Sequence, residues 1–290
     1  MKKIFFLFIA MAAIVFACSK EKPKEIDTPN KGEITVETDE SFKSVIEALA
    51  ERYMALNPQT KINVVIKKED LGLLDLLDRK VRIAVMSREL SQKEKEAYDT
   101  KIDLPWLPGK FAADAVLFVV PKDSPLESIS MDEIYAELNS EKKRLIFDGT
   151  NSSNLNFIAQ KFKKDPSQLK FSIINGNENV AEQLKNYPDK IGVISYNTIS
   201  RPFGEEAQRL RNDLKILKVV KDNQAYDVTG DNLKKMTYPF TRVLYFVSNE
   251  AYYGLGNGFI RFSCQQLGQI VVEKEGLQPY NIFKREVRMK

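Results

Sequence analysis

Apolar and polar positions along the chain change period again and again. Glu33–Glu37 alternates, as a half-buried strand does. The next segment, SFKSVIEALAERYMAL, places Val45, Ile46, Leu49, Tyr53 and Met54 on one helical face. Lys61–Lys67 and Val81–Met86 read as strands, and Asp114–Val120 as a continuous apolar run of the kind buried on both faces. Ser91 with Glu94, and Ser130 with Glu133, have capping-box spacing and predict two helix starts. Arg144–Phe147, Ile191–Tyr196, Leu214–Val220 and Arg242–Ser248 are further strands, with a helix running through Phe162. Phe259, Phe262, Leu267, Ile270 and Val271 predict one long closing helix with Gly276 at its C-cap. Strand–helix alternation of this kind predicts an α/β fold with largely parallel sheets.

The N-terminus has a different pattern. Lys2 and Lys3 precede an apolar run, Ile4–Ala17, which is too short for a membrane span of about 20 residues. A basic start, an apolar middle and a small residue before Cys18 predict a signal peptide over residues 1–17. Val15-Phe16-Ala17-Cys18 resembles a bacterial lipobox, which implies a lipid on the Cys18 thiol. Residues 18–31 are polar, contain Pro23 and Pro29, and read as a tether between membrane and folded body. The expected location is the cell envelope of a bacterium, periplasmic or on the cell surface.

Composition narrows the chemistry. The 290 residues contain no histidine and two cysteines, which excludes His-dependent triads, His-ligated zinc and four-Cys metal sites. Lys+Arg is 44 and Asp+Glu is 40, a mixed balance that does not mark a nucleic-acid binder. Cys264 is expected to be a buried small residue on a helix, and Trp106 part of a core. Glu69-Asp70 reads as a solvated loop.

Three strand-to-helix junctions carry clustered small polar residues. They are ETDESF (Asp39, Ser41, Phe42), MSREL (Ser87, Arg88) and FDGTNSSN (Asn151, Ser152, Ser153, Asn154). In open α/β sheets ligands bind beyond the carboxyl ends of strands, where helix N-termini offer unpaired N–H groups that suit anions. Each junction alone is better explained as an ordinary N-cap.

Taken in order, these segments resemble the phosphate-binding proteins of bacterial ABC importers, within the type II periplasmic binding fold. GEITVETDESF is similar to that family's opening strand and anion loop, and IAVMSREL to its strand ending in Ser. FDGTNSSNLNF stands where the family has a Ser-Gly-Thr loop. KIGVISYNTIS, YPFTRVLYFVSN and GFIRFSCQQLGQIVVEKEGLQP resemble its later segments, so that the likeness spans roughly Gly32 to Val287. The resemblance implies two lobes, residues 32–119 plus 242–290 and residues 120–241, joined by crossings near Val119–Pro121 and Thr241–Val243. It implies a monomer that takes inorganic phosphate or a related oxyanion into the cleft and hands it to ABC permease subunits, with no cofactor, metal or catalysis.

Carried over by position, Ser41, the Phe42 amide, Ser87, Arg88, Ser152, Ser153 and Asn154 would hold the ligand, with Asn151 adjacent; Arg88 would supply the charge, and Asp39, Glu40 or Glu69 would accept the ligand's proton. The chain departs from the family pattern in three places. Asp148 stands where an Arg is usual, Arg88 where an Asp is usual, and KKEDLGLL replaces a Ser-Gly-rich loop. Two other readings stay open: the same fold binding sulfate, molybdate or an organic acid, and a surface or signalling lipoprotein without a transport role.

Overall fold

The computed structural model describes residues 27–282. The signal segment 1–17, Cys18 and most of the tether lie outside these residues. Among the described residues no helix is long and apolar enough to cross a membrane.

The strands are β1 (Lys31–Thr38), β2 (Gln59–Ile66), β3 (Ile83–Met86), β4 (Gly109–Pro121), β5 (Ser128–Ser130), β6 (Leu145–Phe147), β7 (Ser172–Ile173), β8 (Ile191–Ser195), β9 (Leu214–Ile216), β10 (Lys218–Lys221), β11 (Gln224–Tyr226), β12 (Thr241–Ser248) and β13 (Gln278–Pro279). The large sheet runs β2-β1-β3-β12-β4-β8-β6-β7. Its two flanks are parallel, as alternation with helices predicts. Its centre is antiparallel, because β12 runs against both β3 and β4, and β4 against β8.

β4 serves both halves. Through Ala115 it pairs with β12, and from Val116 it pairs with β8. The partner exchange therefore comes about four residues before the expected crossing at Val119–Pro121. The chain stays extended through the exchange, so the apolar run carries no mark of it. Each half has its own core. One gathers Val36, Phe42, Leu49, Phe111, Leu244 and Phe259; the other gathers Val116, Phe118, Phe147, Ile158, Val193 and Phe240.

Several elements differ from the sequence reading. Leu214–Val220 is not one strand: β9 pairs with β4, while β10 joins a separate three-stranded sheet with β5 and β11. The closing helix is two, Leu255–Cys264 and Gln266–Lys274, broken where Gln265 adopts an extended backbone. Gly276 follows the second with φ +80, the left-handed conformation that glycine adopts without steric penalty. KKEDLGLL is not a loop: Glu69–Leu77 is helical, with Leu73, Leu76 and Leu77 buried at one-face spacing. Both capping boxes form.

Residues 27–31, within the segment read as tether, pack on the folded body. Arg82 Nη1 donates to Asp27 Oδ1 at 3.0 Å, and Tyr53 Oη donates to the Pro29 carbonyl at 2.6 Å. Trp106 packs edge-on against Tyr98 at 5.0 Å, in a satellite core. Cys264 is partly buried, and burial pushes its thiol up to about 11, so it stays protonated at neutral pH.

Candidate functional site

The predicted junctions end β1, β3 and β6, and the fold turns all three toward the seam between the halves. After β1, Asp39 caps a 3-10 turn at Glu40–Phe42; after β6, Ser152 caps the helix Ser153–Lys161. A third N-terminus arrives from the helix Glu69–Leu77.

At their meeting point sits the Asp39 carboxylate, 0% exposed. Oδ1 accepts from the Ser41 N–H at 3.0 Å and from Ser153 Oγ at 3.2 Å. Oδ2 accepts from the N–H of Ser153 at 3.1 Å and of Glu69 at 3.2 Å. Three main-chain donors and a hydroxyl, drawn from both halves of the molecule, thus converge on one anionic group. This is the donor set expected at an anion-binding helix terminus.

A closed polar network surrounds it. Ser153 Oγ lies 2.9 Å from Ser41 Oγ, which accepts from Asn177 Nδ2 at 3.1 Å. Asn177 Oδ1 accepts from the Ser195 N–H at 2.9 Å and from Asn154 Nδ2 at 2.8 Å. Arg242 is wholly buried: Nε donates to Asp114 Oδ2 at 2.9 Å and Nη2 to Asn154 Oδ1 at 2.9 Å. Its guanidinium lies 4.7 Å from the centroid of the Phe42 ring. Ser195 Oγ and the Asn197 N–H also donate to Asp114, at 2.8 and 3.0 Å.

Two further carboxylates line the seam. Ser87 donates to Glu69 Oε1 through its N–H at 2.6 Å and its hydroxyl at 2.8 Å. Glu69 Oε2 has no hydrogen bond and lies 3.4 Å from Arg88 Nε. Burial pushes the Glu69 carboxyl up to about 7, against the pull of Arg88. Asp148 accepts from Asn154, Asn177 and Lys68; burial, reinforced by the Asp39 charge, holds its carboxyl above the usual range.

Ser41, Ser87, Ser153 and Asn154 all join this network. Other predicted residues stand elsewhere. Arg88 is caged by Asp70 at 2.6 Å and Glu94 at 2.7 Å, as well as Glu69, so its charge is shared among three acids. Asn151 is exposed, with φ +57. The Phe42 N–H is spent on the Asp39 carbonyl at 3.0 Å, and Ser152 Oγ caps its own helix. The Asp39 carboxylate itself fills the convergence point, because its short side chain reaches donors from three elements at once. Glu69 is likewise no solvated loop residue but 1% exposed.

Sequence reasoning missed Asp114, Arg242, Asn177 and Ser195. For the first two a signal existed: single opposite charges inside two strongly apolar strands must find each other when buried.

Side chains also bridge the halves around the network. Lys68 Nζ donates to the Asp148 carbonyl at 2.8 Å, and the Gln160 amide exchanges two hydrogen bonds with the Glu89 main chain, at 2.9 and 3.1 Å. A cleft of about 410 Å³ opens beside the network, with Ser41 and Asn177 in its wall.

The sequence pattern of the PBP superfamily domain matches residues 23–266. The phosphate-binding protein PstS of Borreliella burgdorferi is 23% identical over 300 residues, covering 95% of this chain and 98% of its own. A structure from Clostridium perfringens assigned to phosphate ABC transport as a substrate-binding protein, with bound phosphate, superposes with TM-score 0.68 at 19% identity, covering 86% of this chain and all of its own. An ABC-type phosphate transport receptor from Vibrio cholerae gives TM-score 0.63 at 18% identity, over 84% and 99% of the two chains. The two-lobed architecture is that of the type II periplasmic binding proteins, and the chain belongs to the PBP superfamily domain family.

Proposed function

We propose that this chain is a non-enzymatic, extracytoplasmic solute-binding protein that takes inorganic phosphate between its two lobes and delivers it to an ABC permease. The lobes are residues 27–115 plus 241–282 and residues 116–240. A signal peptide over residues 1–17 would be cut before Cys18, and a lipid on the Cys18 thiol would tether the chain to a membrane.

One observation carries this reading. Donors from Ser41, Glu69 and Ser153, distant in sequence and contributed by both lobes, converge on a single anionic group at the seam. Such a cradle needs neither metal nor histidine to hold an oxyanion. The relatives named for phosphate binding agree with it. Calorimetric titration of the purified chain with phosphate, sulfate and molybdate tests the reading. Phosphate is expected to bind most tightly and to raise the melting temperature; absence of heat with every anion would refute it. A second reading, an organic-acid receptor, is favoured by the two-plus-two division of donors between two oxygens, which fits a planar carboxylate. Succinate and acetate in the same titration distinguish the two.

A further inference from the structure

We propose that Asp39 is an internal occupant of the anion seat, a built-in competitor that a ligand has to displace. The inference rests on the oxyanion-receptor reading above.

A carboxylate acting only as an N-cap bonds one or two N–H groups of its own turn. Asp39 does this with Ser41 and then goes much further. It takes the Glu69 N–H, 30 positions on, and both the N–H and the hydroxyl of Ser153, 114 positions on. It therefore links the two lobes through the same donors that a bound oxyanion would use. With all four donors committed and the carboxylate fully buried, a second anion has neither a free donor nor a tolerable neighbour in the seat.

The cleft that borders Ser41 gives a displaced side chain or an arriving ligand somewhere to pass. The Asp39 carboxylate supplies the negative charge that the Ser153 and Glu69 helix N-termini otherwise lack. Ligand binding is then an exchange of one anion for another.

Titration of the full chain with inorganic phosphate, comparing wild type with Asp39→Ala and Asp39→Asn, tests this. Removing the competitor is expected to tighten phosphate binding at least about tenfold, or ~1.4 kcal/mol at 25 °C. Phosphate or acetate is expected to raise the melting temperature of Asp39→Ala more than that of wild type, by restoring the missing anion. Asp39→Asn serves where the alanine variant does not fold. It keeps the shape of the side chain but turns an amide donor toward N–H groups, so it too should yield the seat.

Wild type binding phosphate as tightly as both variants, or more tightly, overturns the inference and leaves the receptor reading standing. No binding of any oxyanion or carboxylate by any of the three folded proteins overturns both. Adding Ser153→Ala to Asp39→Ala should remove most of the gain; a gain that survives intact places the anion elsewhere and also overturns the inference.

Discussion

Glu69 carries a proton that the fold holds and the unfolded chain gives up. Three influences compete there. Complete burial disfavours the carboxylate. The two Ser87 donors and Arg88 favour it, but Arg88 divides its charge among Glu69, Asp70 and Glu94, and the nearby Asp39 charge opposes it. Burial wins, and the carboxyl moves from its ordinary 4.5 to about 7.

Between those two values the folded state binds one proton more than the unfolded state, so stability falls as pH rises. The contribution is fully present below 4.5 and gone once pH passes about 7; the interval corresponds to about 3 kcal/mol. In a chain of this size that is roughly 6–12 °C of melting temperature. Glu69→Gln keeps an acceptor for Ser87 and has no proton to lose. Melting curves of wild type and Glu69→Gln across this range isolate the effect from every other titrating group. The stability of wild type relative to the variant should decline by that amount from acid to neutral pH and then level off. Parallel curves for the two proteins would refute the reasoning.

Arg242→Met leaves Asp114 buried with only Ser195 and Asn197 as donors; chemical denaturation should show a loss of about 3–5 kcal/mol, and Arg242→Met with Asp114→Asn should recover part of it. Phe259→Ala empties a fully buried position packed edge-on to Tyr53 and Phe246, with an expected loss of about 3–5 kcal/mol by the same measurement. At Gly276 an added Cβ would stand 2.1 Å from the Ser200 carbonyl oxygen and φ is +80, so Gly276→Ala should lower the melting temperature by more than a simple helix-end change.

What was readable in the sequence is what local geometry decides. Ser91 and Glu94, or Ser130 and Glu133, lie three residues apart, so each pair can be matched without knowledge of the rest of the chain. The strand-end serines were readable for the same reason. Roles set by distant partners were not: Asn177 matters because Ser41, Asp148, Asn154 and Ser195 surround it, and none is its neighbour in sequence. Arg88 misled because an arginine next to a strand-end serine looks aimed at a ligand, whereas Asp70 on one helix and Glu94 on another draw it aside. The polar start of KKEDLGLL and Gly72 hid the helical spacing of Leu73, Leu76 and Leu77, which runs on past that segment.

The charges at the seam explain why the departures from the family pattern go together. Asp39, Glu69, Asp114 and Asp148 are all 0–1% exposed, and among the described residues the cations that pair with the last three are a wholly buried Arg242, a shared Arg88 and a partly exposed Lys68. Where the family pattern has an arginine before the Ser-rich loop, this chain has Asp148 and, across the seam, the Lys68 ammonium that pairs with it. Adding a free oxyanion to this acid-rich interior without removing a charge would leave it uncompensated at low dielectric. Withdrawal of Asp39 provides that removal, charge for charge, when the arriving species is singly charged. A doubly charged one would require a proton as well, and the Glu69, Asp148 and Glu40 carboxyls, all held above their ordinary values, are groups at this seam able to keep one. On the receptor reading, the swap of acid and base between the second and third loops is thus one coupled change: a site that carries its own anion needs less fixed positive charge than one that waits for a ligand.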